Sequence, residues 1–511
     1  MNRRQKIIVS ITGIFIVMLA LVGLTYAYFL TRITGNENEK SISVTTANLE
    51  LVYGDGNNLV TVSNIEPGDP ITPKTFTVTN NGNATIEDFN IYLENVINQF
   101  SRKTDLIYTI TCENITVGAT STECEEFEVV ENEVNGTELI FPSVMSVIAR
   151  DTLDPATEDT NAEVHEYTIT LTYKEMNVDQ SEDMNKKVEA KVNIYDNRTK
   201  FLASELMINA RKTGTFDYNK TEYIDPSLQD GITYTIPAEQ INKENERIIT
   251  YTFDDYGTSY YFRGNAEDNY VTFSNKCWRI VRIQGDGSIK LILESQSPCS
   301  ESMTGDFSIG YDYWDEDQSA AIIKNILTTW LNATNDAGER TNITAIAEKW
   351  IKTEEWCLGN TTNTYSYTAP YGLLGTTASE NYLSGTGFYY ETGRNLYGYG
   401  VKPNATLKCN GETDSLKLGA LTADEVVFAG GKAGTPNFNL YLKGSWWTFS
   451  RSSFNGNEFD YVFAFRLNHD GSLIDLTGIP DSSSVRPAVT LKSGIVISGG
   501  NGTIKEPYVI E

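Results

Sequence analysis

The 511-residue chain carries 68 acidic against 40 basic residues, a formal net charge of −28, with 40% hydrophobic and 11% aromatic content. That length allows about two to four domains with cores of their own, and such an acidic surface repels nucleic acid and anionic lipid, so neither is expected as a partner. With only two histidines, His165 and His469, the chain is a poor fit to a His-rich zinc site or a Ser-His-Asp hydrolase.

In chain order, residues 7–30 (IIVSITGIFIVMLALVGLTYAYFL) contain no charge and follow Arg3, Arg4 and Lys6. This reads as an export signal over residues 1–35, long enough to stay as a membrane anchor. Thr25-Tyr26-Ala27 offers a small-x-small cleavage site before Tyr28, so a cleaved leader and a retained N-terminal helix both stand open. In either case the positive flank stays inside, and the chain beyond is extracellular: secreted, or held on the outer face of the cell membrane.

Residues 41–198 read as an all-β antiparallel sandwich of jelly-roll or immunoglobulin-like type. In 167–173, Tyr167, Ile169, Leu171 and Tyr173 alternate with threonines; in 187–195, Val188, Ala190, Val192 and Ile194 share one face. TFTVTNNGNATIEDFNIYL at 75–93 gives two strands around a turn-rich Asn-Asn-Gly-Asn segment. Residues 199–247 read as a short helix (FLASELMINAR, 201–211) and a linker.

Residues 248–511 read as an α+β domain. Strands are predicted at 259–263, 270–273, 277–283, 289–293, 445–450, 461–467, 471–476 and 485–491. Helical spacing of Ile323, Ile326, Leu327, Trp330 and Leu331 predicts a helix at 317–332, and Ile343, Ile346, Ala347 and Trp350 predict another at 341–352. At 422–431, Thr422 and Glu425 form a capping-box pattern. In CWRIVRIQGDGSIKLIL (277–293) the Gly-Asp-Gly turn joins two mostly apolar strands, so Arg279, Arg282 and Lys290 are expected to pair with local carboxylates beneath a covered hairpin.

Six cysteines in an exported chain favour disulfides. Fifteen pairings are open in principle; sequential pairing, Cys112–Cys124, Cys277–Cys299 and Cys357–Cys409, is favoured because each pair flanks one local unit.

Two resemblances follow from motifs. LTYAYF at the end of the signal, ANLEL at 47–51 and NIEPGD at 64–69 followed by FTVTNNG resemble the camelysin and TasA group of exported Gram-positive proteins. That resemblance implies a jelly-roll-like sandwich and, for some members, self-assembly into fibres, hence a homo-oligomer. Some members carry a metallopeptidase label, but His165-Glu166 is followed by Ile169 where HExxH needs histidine, and it lies in a strand pattern. From YYFRG (260–264) through CWRIVRI, LTADEVVFAGG (421–431), WWTFS (446–450) and VRPAVTLKSG (485–494), the rest is similar to an uncharacterised family of bacterial surface domains with a C-type-lectin-like fold, shared with formylglycine-generating enzymes. Those enzymes depend on metal-binding cysteines; the cysteines here are read as disulfides, and the activity is not carried over.

For ligand binding, Trp446 and Trp447 should point to opposite faces of a strand, leaving one ring to stack on a sugar, with Arg451, Asn468, Asp470 and Arg486 as converging polar groups. The competing readings are core aromatics, a plain hairpin turn at 468–471 and a structural Arg486 ion pair. Asp312, Asp315 and Asp317 offer oxygen ligands that suit calcium, the one cofactor considered, although EF-hand spacing is absent and a helix N-cap explains them as well. No catalytic residues are singled out. The tyrosine-rich segment 363–400 has the composition of a recognition loop or of any long loop. The expected function is a non-enzymatic cell-surface protein presenting a lectin-like domain to a glycan or protein, in adhesion; a fibre or surface-layer component and a polysaccharide hydrolase are the competing readings.

Overall fold

The computed structural model describes residues 51–54, 62–63, 65–80, 86–100, 102–131, 134–135, 137–157, 160–197, 199–212, 248–263, 266–303, 305–313, 319–359, 407–409, 412–429, 440, 444–455, 461–467, 473–475 and 482–510. The export-signal reading of residues 7–30 and the loop reading of 363–400 lie outside them. Among the described residues no helix is long and apolar enough to cross a membrane. The chain divides into two compact units: residues up to 199 apart from 95–99 and 143–145, and residues 200–511 together with those two short segments.

The first unit is built from two β-sheets. The strands are β1 (Leu51–Gly54), β2 (Val62–Ser63), β3 (Lys74–Asn80), β4 (Ile86–Asn98), β5 (Leu106–Asn114), β6 (Glu128–Val129), β7 (Val134–Asn135), β8 (Glu138–Ile140), β9 (Ser146–Leu153), β10 (Val164–Tyr173) and β11 (Lys187–Asp196). One sheet runs β1-β3-β10-β5-β8-β7 and the other β2-β11-β4-β9-β6. Antiparallel pairing joins β3 to β10, β10 to β5 and β4 to β9. The two strands read at 75–93 therefore belong to different sheets. The period-two pattern is realised as predicted: Tyr167, Ile169, Leu171 and Tyr173 are buried, as are Val188, Ala190, Val192 and Ile194. The inward rows of both sheets form the core, in agreement with an all-β sandwich.

The second unit opens with β12 (Lys200–Phe201) and helix α1 (Leu202–Lys212). The helix forms where 201–211 is read as one. Leu202, Ala203, Leu206 and Met207 repeat at helical spacing and lie in the hydrophobic core of this unit, because that face must be buried. An eight-stranded sheet follows the order β13 (Ile248–Phe253), β14 (Thr258–Arg263), β16 (Lys276–Ile283), β17 (Ile289–Ser295), β26 (Ala488–Leu491) and β21 (Leu418–Gly419), with β15 (Tyr270–Phe273) pairing β16 and also β28 (Tyr508–Ile510). A five-stranded sheet runs β18 (Tyr311–Tyr313), β25 (Ser482–Ser484), β22 (Trp446–Asn455), β23 (Tyr461–Leu467) and β24 (Leu473–Asp475), while β19 (Glu354–Gly359) pairs with β20 (Glu412–Leu416) and β12 with β27 (Val496–Ile497). Helices α2 (Ser319–Asn332) and α3 (Ala423–Phe428) contribute Ile323, Leu327 and Val426 to the core.

The helix expected over 341–352 is absent; only a single 3-10 turn, Ala347–Trp350, forms there. Bonds to distant parts of the chain hold the rest of the segment: the Ser274 hydroxyl donates to the Asn342 carbonyl and accepts from the Thr344 amide, and the Lys352 amide donates to the Thr490 carbonyl. The capping box forms as read, with Thr422 N donating to Glu425 Oε2 (3.0 Å) and Glu425 N donating to Thr422 Oγ1 (3.2 Å).

All six cysteines are paired sequentially, as Cys112–Cys124, Cys277–Cys299 and Cys357–Cys409. Three closed disulfides are the mark of a chain matured in an oxidising, extracellular-type environment.

Candidate functional site

Both strands of the hairpin that opens with Cys277 are covered, and its cations are paired. Arg282 Nη1 donates to Asp254 Oδ2 (2.6 Å), and Arg282 Nε and Lys290 Nζ both donate to Glu425 Oε1 (2.9 Å each). Lys290 also lies 3.3 Å from Glu354. Glu425 thus serves twice: one oxygen closes the capping box and the other neutralises two buried cations. Burial pushes its carboxyl upward, but Lys290 and Arg282 more than offset that and hold it down at about 2. Every group is satisfied within the fold, so this network is scaffold.

Of the predicted ligand-binding residues, Trp446, Trp447 and Arg486 are buried. Trp446 and Trp447 are 0% and 2% exposed. Their side chains leave β22 on opposite sides, but both faces of the strand are covered, so neither ring is offered to a sugar. Arg486 is fully buried: it donates to the carbonyls of Leu293 and Leu440 (2.6 Å each) and to Glu294 Oε2 (2.9 Å), with its guanidinium 5.3 Å from the Trp446 ring centre. The structure assigns Arg486 to the core rather than to a ligand. Arg451 lies on β22, and Asn468 and Asp470 fall outside the described residues. Of the acidic candidates, Asp312 lies on β18 opposite Ser483, whereas Asp315 and Asp317 are outside the described residues.

What the second unit does expose is a different set of aromatics. The 3-10 turn leaves Trp350 41% exposed, and Ile346, four residues earlier, 65% exposed. Ile351 is buried by its bridge to Leu491, which turns the residues on either side of it outward. Lys352 reaches the hairpin tip, donating to Asp286 Oδ2 (2.6 Å), and its ammonium lies 4.3 Å from the ring centre of Tyr256, which is 38% exposed. Burial raises the Tyr256 phenol to about 12, helped by the charges of Glu354 and Asp286, so it stays a neutral hydroxyl. The Tyr256 face is thereby held beside the Lys352–Asp286 ion pair, and the exposed Trp350 lies two residues before Lys352 in the chain. Sequence reading missed this patch because the residues come from 256, 286 and 350–352, and a helix was expected where the turn forms; the Gly-Asp-Gly turn was the one signal pointing there.

The first unit holds a second cluster, between the inward rows of its two sheets. His165 on β10 places Nδ1 2.7 Å from Asp151 Oδ2 on β9 and Nε2 3.0 Å from Glu163 Oε1. Tyr167 donates its hydroxyl to the same Asp151 oxygen (2.5 Å), and Asn114 Nδ2 donates to Glu163 Oε1 (3.2 Å). Burial alone would lower the His165 pKa; the hydrogen bonds and charges of Asp151 and Glu163 outweigh it and hold the ring above its ordinary value. The register pairs Tyr167 with Cys112, which brings the disulfide alongside, Cys112 Sγ lying 3.6 Å from Asp151 Oδ2. The strand position of His165 agrees with the rejection of an HExxH helix.

No protein-family model matches the chain, and no curated protein and no solved structure matches it.

Proposed function

We propose that the chain is an exported, non-enzymatic surface protein whose second unit binds an extracellular glycan in an adhesive role. The observation that carries this reading is the patch of Tyr256, Trp350, Lys352 and Asp286. Apolar C–H faces of a sugar ring pack on exposed aromatic rings, and an ion pair fixed at their edge supplies both a donor and acceptors for ring hydroxyls. The uncharged segment at 7–30 supports export, and the disulfides support an oxidising destination. The resemblance of 248–511 to bacterial surface domains with a C-type-lectin-like fold belongs to the same proposal.

The test is a glycan array probed with the disulfide-bonded chain. Selective binding should weaken about tenfold in Trp350→Ala and in Tyr256→Ala, the worth of one good aromatic contact, while both variants keep the parent's unfolding midpoint within a few degrees. Trp447→Ala should instead lower the midpoint. Absence of any selective glycan signal from the folded chain would overturn the reading.

A further inference from the structure

Among the described residues, Cys112, Cys124, Asp151 and His165 each offer a metal-ligating atom, and these atoms all lie within 4.8 Å of one another. The donor set is two sulfurs, an imidazole and a carboxylate, on strands β5, β9 and β10 and the loop after β5. We propose that reduction of the Cys112–Cys124 disulfide converts this cluster into a four-coordinate site for a divalent zinc-type cation, so that the first unit carries a metal site gated by thiol redox state.

Three features of the geometry support the assignment. First, the spacing suits tetrahedral zinc. With Zn–S near 2.3 Å and Zn–O near 2.0–2.1 Å, the sulfur and oxygen ligands should stand about 3.6 Å apart, and Cys112 Sγ already lies 3.6 Å from Asp151 Oδ2. The two thiolates need about 3.8 Å between sulfurs by the same geometry, within reach of side chains whose Cα atoms are 6.1 Å apart. Seating the ion between His165 Nδ1 and Asp151 Oδ2, now 2.7 Å apart, asks for a widening of about 0.6 Å.

Second, the outer groups are already arranged as metal sites arrange them. A ligating imidazole commonly donates its other N–H to a carboxylate, which fixes the ring. Here Nδ1 faces the cluster, and Nε2 faces Glu163 Oε1 at 3.0 Å. Glu163 is itself held by the Asp154 amide (2.6 Å) and by Asn114. The Tyr167 hydroxyl steadies the Asp151 oxygen. Third, Cys112 and Cys124 are both half-buried, as are Cys357 and Cys409, whereas Cys277 is completely buried, so a reductant reaches the first-unit pair more easily than Cys277–Cys299.

The chemistry balances with a dithiol as reductant. Two electrons pass from the dithiol to the Cys112–Cys124 bond; the dithiol closes to its own disulfide and its two protons go to the cysteine sulfurs. The cation then displaces both thiol protons and the Nδ1 proton of His165. While the disulfide is closed, the same place is filled by the His165–Asp151 hydrogen bond and takes no ion.

The test uses the whole chain, oxidised and after reduction by a phosphine removed before metal is added, titrated with Co2+ and then Zn2+. The expected result is one Co2+ bound with the thiolate charge-transfer and tetrahedral bands, displaced by one Zn2+, in the reduced chain alone. The bands should vanish in the Cys112→Ser, Cys124→Ser double variant and in His165→Gln, and Glu163→Gln should weaken zinc about 10–100-fold. Zinc should also protect Cys112 and Cys124, and not the other four cysteines, from alkylation. A reduced chain that keeps its strand circular dichroism yet shows no such bands overturns the proposal, as does a band that survives in the double variant. If reduction unfolds the unit, recovery of the strand signal on adding Zn2+ supports it, and failure to recover overturns it.

Discussion

At the scale of single residues, Glu425 concentrates more of the second unit's electrostatics than any neighbour. Its pKa falls from the ordinary 4.5 to about 2 on folding. The folded value is depressed, so the stability it contributes is complete above pH 4.5 and is lost as the pH drops toward 2, an effect of roughly 3 kcal/mol for a fully buried group. Denaturant unfolding between pH 6 and pH 2 should therefore show a steep acid loss that is flattened in Glu425→Gln. That variant keeps the capping box but leaves Arg282 and Lys290 under-neutralised, and its baseline stability should fall by about 3–5 kcal/mol. The Thr422/Glu425 spacing made the cap legible in the sequence; the partnership with Arg282, 143 residues away, was not, because only the sheet brings them together. The same holds for His165. Its strand was readable from the alternation around it, but Asp151 reaches it from the opposite sheet, and nothing local marks that meeting. Trp446 and Trp447 show the converse: adjacency tells that two side chains diverge, not whether either side is open.

At the scale of elements, the hairpin joining β16 to β17 separates two reasons for glycine. Gly287 takes a positive φ of 79°, closing a short loop in which the Gln284 amide donates to the Ser288 carbonyl. Gly285 has no such angle; a Cβ there would sit 2.3 Å from the Gly257 amide nitrogen. Gly287→Ala should cost about 1 kcal/mol, a left-handed backbone penalty with room for the methyl. Gly285→Ala must move backbone and should cost at least twice as much, measured by the urea midpoint at constant slope. A reversed order would mean that the loop relaxes away from Gly257. Helices were read well where burial drives them, as in α1 and α2. The expectation failed at 341–352 because, of the residues read as one helix face, a looping segment whose backbone bonds go to Ser274 and Thr490 buries Ile343 and Ala347 but leaves Ile346 and Trp350 exposed.

At the scale of the whole molecule, a net charge of −28 means that the folded chain repels itself. Raising salt from about 0.01 M to about 0.15 M shortens the screening length from about 30 Å to about 8 Å, so the thermal midpoint should rise with sodium chloride and level off; a fall would show that attractive pairs dominate the surface. The parallel pairing of β15 with β28 has a consequence in time. Val271 sits opposite Tyr508, so the sheet waits on a segment 237 residues downstream (508 − 271). A chain emerging one residue after another from a ribosome or a translocation pore must leave that flank of β15 bare until those residues are free. Contacts of such long sequence separation form slowly, and an uncovered strand flank is where a nascent chain joins the wrong neighbour. The interval of greatest exposure to misassembly therefore falls late in the chain's emergence, and its length is set by the speed of delivery.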